Sequence, residues 1–110
     1  MPDETAAAAL QRLIGGHPAA AAEVVEAAAV STSVPVLVAA ALLARKPELV
    51  TRAAEHATTT RDRQLVELAA ADLRGDTQLL DALVRDHLSE YPEHLLASWI
   101  AGHRHLDHHQ

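Results

Sequence analysis

The sequence predicts an all-α chain of about seven short antiparallel helices stacked as helical hairpins. Three observations predict it. Hydrophobic residues make up 49% of the chain but aromatics only 2%, so alanine dominates the apolar content. Alanine has the best helix propensity and lets helix axes approach closely, which favours a thin helix-on-helix core over a sheet sandwich. Apolar residues recur at three- and four-residue spacing rather than in alternation. Finally, the breaks between these patterns themselves repeat, about every 30 residues.

The elements follow in order. The first helix, Asp3 to Ile14, puts Ala6, Leu10, Leu13 and Ile14 on one face, and Gly15-Gly16 ends it. Pro18 opens the second at a position where its missing N–H costs nothing. That helix runs to about Val30, with Ala21, Val25, Ala28 and Ala29 as its stripe. Ser33 is the expected N-cap of the third, Val34 to Ala44. This third helix is apolar on every side, which places it in the middle of the molecule. Lys46-Pro47 is the next break, and the fourth helix, Glu48 to Ala57, buries Leu49, Val50, Ala53, Ala54 and Ala57 while Glu48, Arg52 and Glu55 face water.

Thr60 is the expected cap of the fifth helix, with Asp62 in its first turn favoured by the helix dipole. Its buried side is Leu65, Leu68, Ala69 and Leu73. After Gly75, Asp76 caps the sixth helix, which buries Leu79, Leu80, Leu83, Val84 and Leu88. Pro92 opens the seventh, with Leu95, Leu96, Trp99 and Ile100 as its stripe. The expected organisation is one domain over residues 1–110, with hairpins at about 3–30, 33–57 and 60–90 and a terminal helix at about 92–106. Short helices broken this abruptly are the arms of stacked hairpins.

Charge narrows the partners. A net charge of −6 disfavours nucleic acid, whose phosphates call for a basic patch, and equally an anionic membrane surface. The longest apolar run, Val34 to Ala44, falls well short of the roughly 20 residues a bilayer span needs. The N-terminus opens with acids rather than the basic stretch of a secretory signal. With no cysteine there is neither a disulfide framework nor a thiolate metal site, and the expected location is the cytoplasm.

From Arg61 to Gly102 the sequence RDRQLVELAAADLRGDTQLLDALVRDHLSEYPEHLLASWIAG resembles a tetratricopeptide repeat and the start of a second. Such repeats place a small turn between their helices and a proline about 17 residues later, and Gly75-Asp76 and Pro92 stand at that spacing. Gly102 falls where the next repeat's first helix has a small residue. The chain departs from the pattern in lacking large aromatics between Arg61 and Leu73, and in carrying Leu80 and His87 where alanines are usual. The two earlier hairpins share only period and turn position. The resemblance implies a scaffold that binds peptides or partner domains along a concave face, without catalytic residues.

The candidate partner-binding surface is the last helix: Leu95, Leu96, Trp99 and Ile100, continued by His103. A helix this apolar needs cover on both sides, and each large side chain left in water forfeits roughly 1.5–3 kcal/mol. A second copy of the chain, another protein, or the N-terminal helix folding back could supply the cover, while the plainer reading is that the hairpin from Thr60 to Leu88 already buries most of the helix. Homodimerisation is the first candidate.

The tract from His103 to His109 offers the alternative function, a helical metal- or ligand-binding protein. His105 and His109 share a helix face as paired zinc ligands do, with His108 or Asp107 as a third. A solvated tail is the plainer reading, and no metal or cofactor is expected. Protonating all eight histidines moves the formal charge from −6 to +2. Exposed histidines titrate near 6.5 in any protein, so this alone is no switch.

Asp72 and His87 form a possible polar groove, since both trend toward the apolar faces of their helices. For His87 a satisfied interior histidine or one at the stripe's edge is the favoured reading, and for Asp72 a boundary position from which it reaches water or an arginine. Arg74-Gly75-Asp76 spells an adhesion tripeptide, but its glycine and aspartate already serve as turn and cap. Phosphate-cradling glycine loops, nucleophile elbows and dinucleotide fingerprints are missing, so no enzyme activity is expected.

Overall fold

Breaks and caps set the elements of the computed structural model, which describes residues 3–92 and 94–108, with side chains described for 5–92 and 94–102. Among these residues seven helices follow one another, with no strand: α1 Asp3–Ile14, α2 Ala20–Ala27, α3 Val34–Ala44, α4 Pro47–His56, α5 Thr60–Arg74, α6 Thr77–Glu90 and α7 Leu95–His108. The capping chemistry explains several boundaries. Thr59, one residue earlier than expected, accepts from the Asp62 N–H at 3.1 Å and starts α5. Asp76 accepts from the Leu79 N–H at 3.1 Å and starts α6. Between them α5 ends on Gly75 at φ 73°, where the Asp76 N–H reaches back to Ala71 O at 3.1 Å. Left-handed glycine closing a helix in this way satisfies carbonyls that would otherwise be orphaned.

Packing is organised around α3. Val34, and every residue from Val36 to Leu42, is buried, and α1, α2, α4 and α5 all pack against this one helix. Ala39, Ala40 and Ala41 present almost no side chain, so neighbouring axes come close. Ala53 of α4, and Ala69 and Ala71 of α5, are likewise fully buried. Sequential helices pair as hairpins, α1 with α2, α3 with α4, and α5 with α6, while α7 packs on α6 and also reaches α1. In an open solenoid each repeat touches only its neighbours. Here the two ends of the described chain meet, and the radius of gyration is 12.7 Å, close to the ~13 Å of a compact domain this size.

Several expected faces are corrected. In α2 the buried residues are Ala20, Val24 and Ala27, followed by Ala28, while Ala21 and Val25 are half-buried and Ala29 is exposed. The expected stripe was rotated by one residue. The helix is also shorter than expected, with Pro18 in the turn before it and residues 28–30 in turns after it. In α4, Ala54 is exposed, and Arg52 does not simply face water. Its guanidinium donates to Ala28 O at 2.9 Å and Ser31 O at 3.1 Å, satisfying carbonyls where α2 unwinds. In α6 Leu79 is 38% exposed, and His87 is buried on the packed face. The seventh helix begins at Leu95 rather than Pro92, and just before it the His94 N–H donates to Tyr91 O.

At Gly75 an added Cβ meets nothing within 4 Å, so only the backbone conformation resists a side chain there. Gly75→Ala is therefore expected to lower stability by about 1–2 kcal/mol, read from the urea midpoint. Gly75→Asn should cost less, since asparagine tolerates the left-handed region.

Candidate functional site

The most elaborated polar cluster lies where α5, α6 and the start of α7 meet. His87 follows Leu83 by four and Val84 by three, so α6 carries it onto the packed face, where it is 1% exposed. Its Nδ1 lies 2.8 Å from Gln64 Oε1 on α5, and its Nε2 lies 2.6 Å from His94 Nδ1. Gln64 Nε2 in turn donates to Glu90 Oε1 at 3.1 Å. The Tyr91 ring lies 5.1 Å from the His87 ring, and the His94 ring 4.8 Å from it, both tilted.

The chemistry of the partners assigns the hydrogens. Glu90 as a carboxylate only accepts, so the Gln64 amide N–H must face it and the Gln64 carbonyl must face His87. His87 therefore donates from Nδ1, and its Nε2 in the neutral ring is a lone pair. His94 must then carry its hydrogen on Nδ1 and donate to His87, which leaves His94 Nε2 with the free lone pair. His94 also lines a cleft of about 420 Å³ with Arg61, Glu90, Tyr91 and Pro92. Every buried side-chain nitrogen and oxygen among the described residues has a partner.

Both imidazoles are held below the ordinary histidine range. Burial pushes the His94 pKa down to about 4, with the neighbouring His87 and the Arg61 guanidinium adding to the effect and Asp62 opposing it. Burial also lowers His87, reinforced by Arg61 and opposed by Glu90. At neutral pH the pair is uncharged, and what it can do chemically is share one hydrogen between two rings. The 2.6 Å nitrogen separation suits a hydrogen bond; two imidazoles on one tetrahedral zinc ion would stand about 3.3 Å apart. Among the described residues no three of His, Asp and Glu are grouped to hold a metal ion.

The other polar candidate, Asp72, is not part of this cluster. It lies eight residues after Gln64, about 12 Å along α5, and pairs with Arg45 of the α3–α4 turn at 3.8 Å. Sequence reasoning missed His94, because Pro92 was taken to start a helix that would have carried it inside. The available signal was two histidines straddling a Tyr-Pro corner.

The residues of α7 divide. Leu96, Ala97 and Ile100 are buried within the chain, covered by its own α6 and α1, so Leu96 and Ile100 are not on a free surface. Leu95 is 64% exposed and Trp99 is half-buried. Trp99 walls a second, shallow cleft of about 250 Å³ with Leu13, Gly16, Pro18, Ala21 and Leu43. The side chains of His103, His105 and His108, and the whole of His109, lie outside the described residues. No helix among the described residues is long and apolar enough to cross a membrane.

No protein-family model matches the chain, no curated protein matches its sequence, and no solved structure matches it.

The lowered histidines make stability depend on pH with a definite sign. Unfolded, both rings titrate near 6.5; folded, both bind protons less readily. Below 6.5 the unfolded chain therefore holds more protons, and protons favour it. Stability from the pair should be full above about pH 6.5 and decline as pH falls toward about 4, the lowered value at His94. Urea midpoints across that range check it; a midpoint that holds level would show that the rings are not held neutral by the fold.

Proposed function

We propose that this chain is a small, non-catalytic protein-interaction module of the tetratricopeptide-like kind, acting in the cytoplasm, and that it self-associates through the outer face of α7. One observation carries the reading. Leu95 is exposed and Trp99, four residues on along the same helix face, is half-buried, while Leu96, Ala97 and Ile100 beside them are buried. The three sequential hairpins, with breaks recurring about every 30 residues, support the repeat-like part of the reading.

A second copy is the occupant that the surface favours. Leu95 stands out from α7, and Trp99 borders the recess formed with Leu13, Pro18, Ala21 and Leu43. Knob and hole on the same face are what a two-fold, self-complementary contact requires. Among the described residues the recess lining carries no charged side chain, so two chains of net charge −6 can meet at these residues without setting like charges against each other. Burying Leu95 would gain on the order of 1.5–3 kcal/mol once its side chain is fully covered.

Light scattering on a sizing column, with a chelator present, tests this. The expected mass is twice 11.7 kDa, falling to the single-chain value in Leu95→Glu and in Trp99→Glu. Leu95 is exposed enough to accept the charge without unfolding, so its circular dichroism should match the wild type. A wild-type monomer at high concentration, or a dimer indifferent to both substitutions, rejects the self-association.

A further inference from the structure

The corner between α6 and α7 holds two imidazole nitrogens face to face, His87 Nε2 and His94 Nδ1, 2.6 Å apart. That separation is a hydrogen bond only while one nitrogen carries hydrogen and the other a lone pair. His87 cannot turn its other nitrogen to the task, because Nδ1 is committed to Gln64 at 2.8 Å. A first added proton goes to His94 Nε2, on the far side of the ring, and leaves the contact intact. A second has only His87 Nε2 to go to, the lone pair that accepts the bond. Two N–H groups would then point at one another between two cations. We propose that the His87–His94 pair is a proton-operated latch on the α6–α7 corner: it stays closed with no added proton or one, and the second proton releases the last helix from the body of the protein.

The surroundings set its direction. From α5, Arg61 opposes both protons and Asp62 favours the one on His94. From the end of α6, Glu90 favours the proton on His87, and Tyr91 adds its ring. The Leu95 to Gly102 stretch of α7 carries no charged residue to compensate. Burial holds the pair neutral, so the latch is shut at neutral pH and opens in acid. The opening is local, because α1, α2, α4 and α5 hold α3 without α7. Release uncovers Leu96, Ala97 and Ile100, which the closed latch keeps from water. This inference is independent of self-association.

Trp99 is the chain's sole tryptophan and sits on the moving helix. Its emission, followed on the full chain from pH 7.5 to about 4 with a chelator present, reads the latch directly. The red shift should follow close to the second power of proton concentration, while the α3 amides stay protected from exchange. In His94→Asn the amide N–H can still donate to His87 but binds no proton, and the dependence should drop to the first power or less. Superimposable curves for wild type and variant overturn the proposal, as does loss of α3 protection together with α7. Nitrogen NMR of the wild-type rings decides the matter even if the variant fails to fold. His87 and His94 should both be Nδ1–H tautomers at neutral pH, and α7 should be released only as His87, the second ring to take a proton, leaves that state. Two independent titrations near 6.5 with α7 still seated would sink the idea. Zinc added at neutral pH should leave both ring signals in place; a shift at both would make the nitrogens metal ligands instead of a latch.

Discussion

Everything in this fold depends on the burial of α3. A helix whose side chains are apolar on all sides cannot tolerate a wet face, so four other helices must close around it. Its alanines make that geometrically possible. Ala39, Ala40 and Ala41 occupy so little space that backbones can approach from several directions at once. Packing of this kind gains less per residue than a leucine core, because alanine buries little area. The chain compensates by surrounding the helix and by placing the larger Leu37, Leu65, Leu68, Leu80 and Ile100 wholly inside.

Polar groups are admitted to this interior only where their hydrogen-bonding valences match. Arg52 is accepted because Ala28 O and Ser31 O, just past the end of α2, both accept from its guanidinium. His87 is accepted because Gln64 and His94 engage both its ring nitrogens. A buried polar group left unpaired costs about 1–3 kcal/mol, so these matches are conditions of folding rather than decoration. The exposed pair Arg12–Glu23 is of a different kind. Both partners are half in water, where such pairs contribute about 0–1 kcal/mol.

Much of this was legible in the sequence, and the parts that were not share physical reasons. Helix number and approximate boundaries could be read because Gly15-Gly16, Pro47, Gly75 and Asp76 act through local backbone chemistry. The central place of α3 could be read because nothing along it is polar. The buried face of α2 could not: Ala20, Val24, Ala27 and Ala28 offer the same pattern as Ala21, Val25, Ala28 and Ala29. Only tertiary packing chooses between two equally apolar stripes. Leu79 was misjudged in the same way, since hydrophobicity alone puts the leucine inside, whereas His87 is the satisfied interior histidine that was expected. The contact of α7 with α1 joins distant parts of the chain and has no local signature. The histidine pair was hidden by one misplaced helix start, and with it the burial that lowers the proton affinity of these two rings.

The claim on which all this rests is that α3 is the structural hub, and native-state hydrogen exchange of the full chain tests it most directly. The amides from Leu37 to Ala44 should exchange only through global unfolding, with a protection free energy equal to the unfolding free energy from urea. Those of α7 should open earlier. If α3 instead exchanges through a smaller opening than α1 or α5, the chain is not built around that helix.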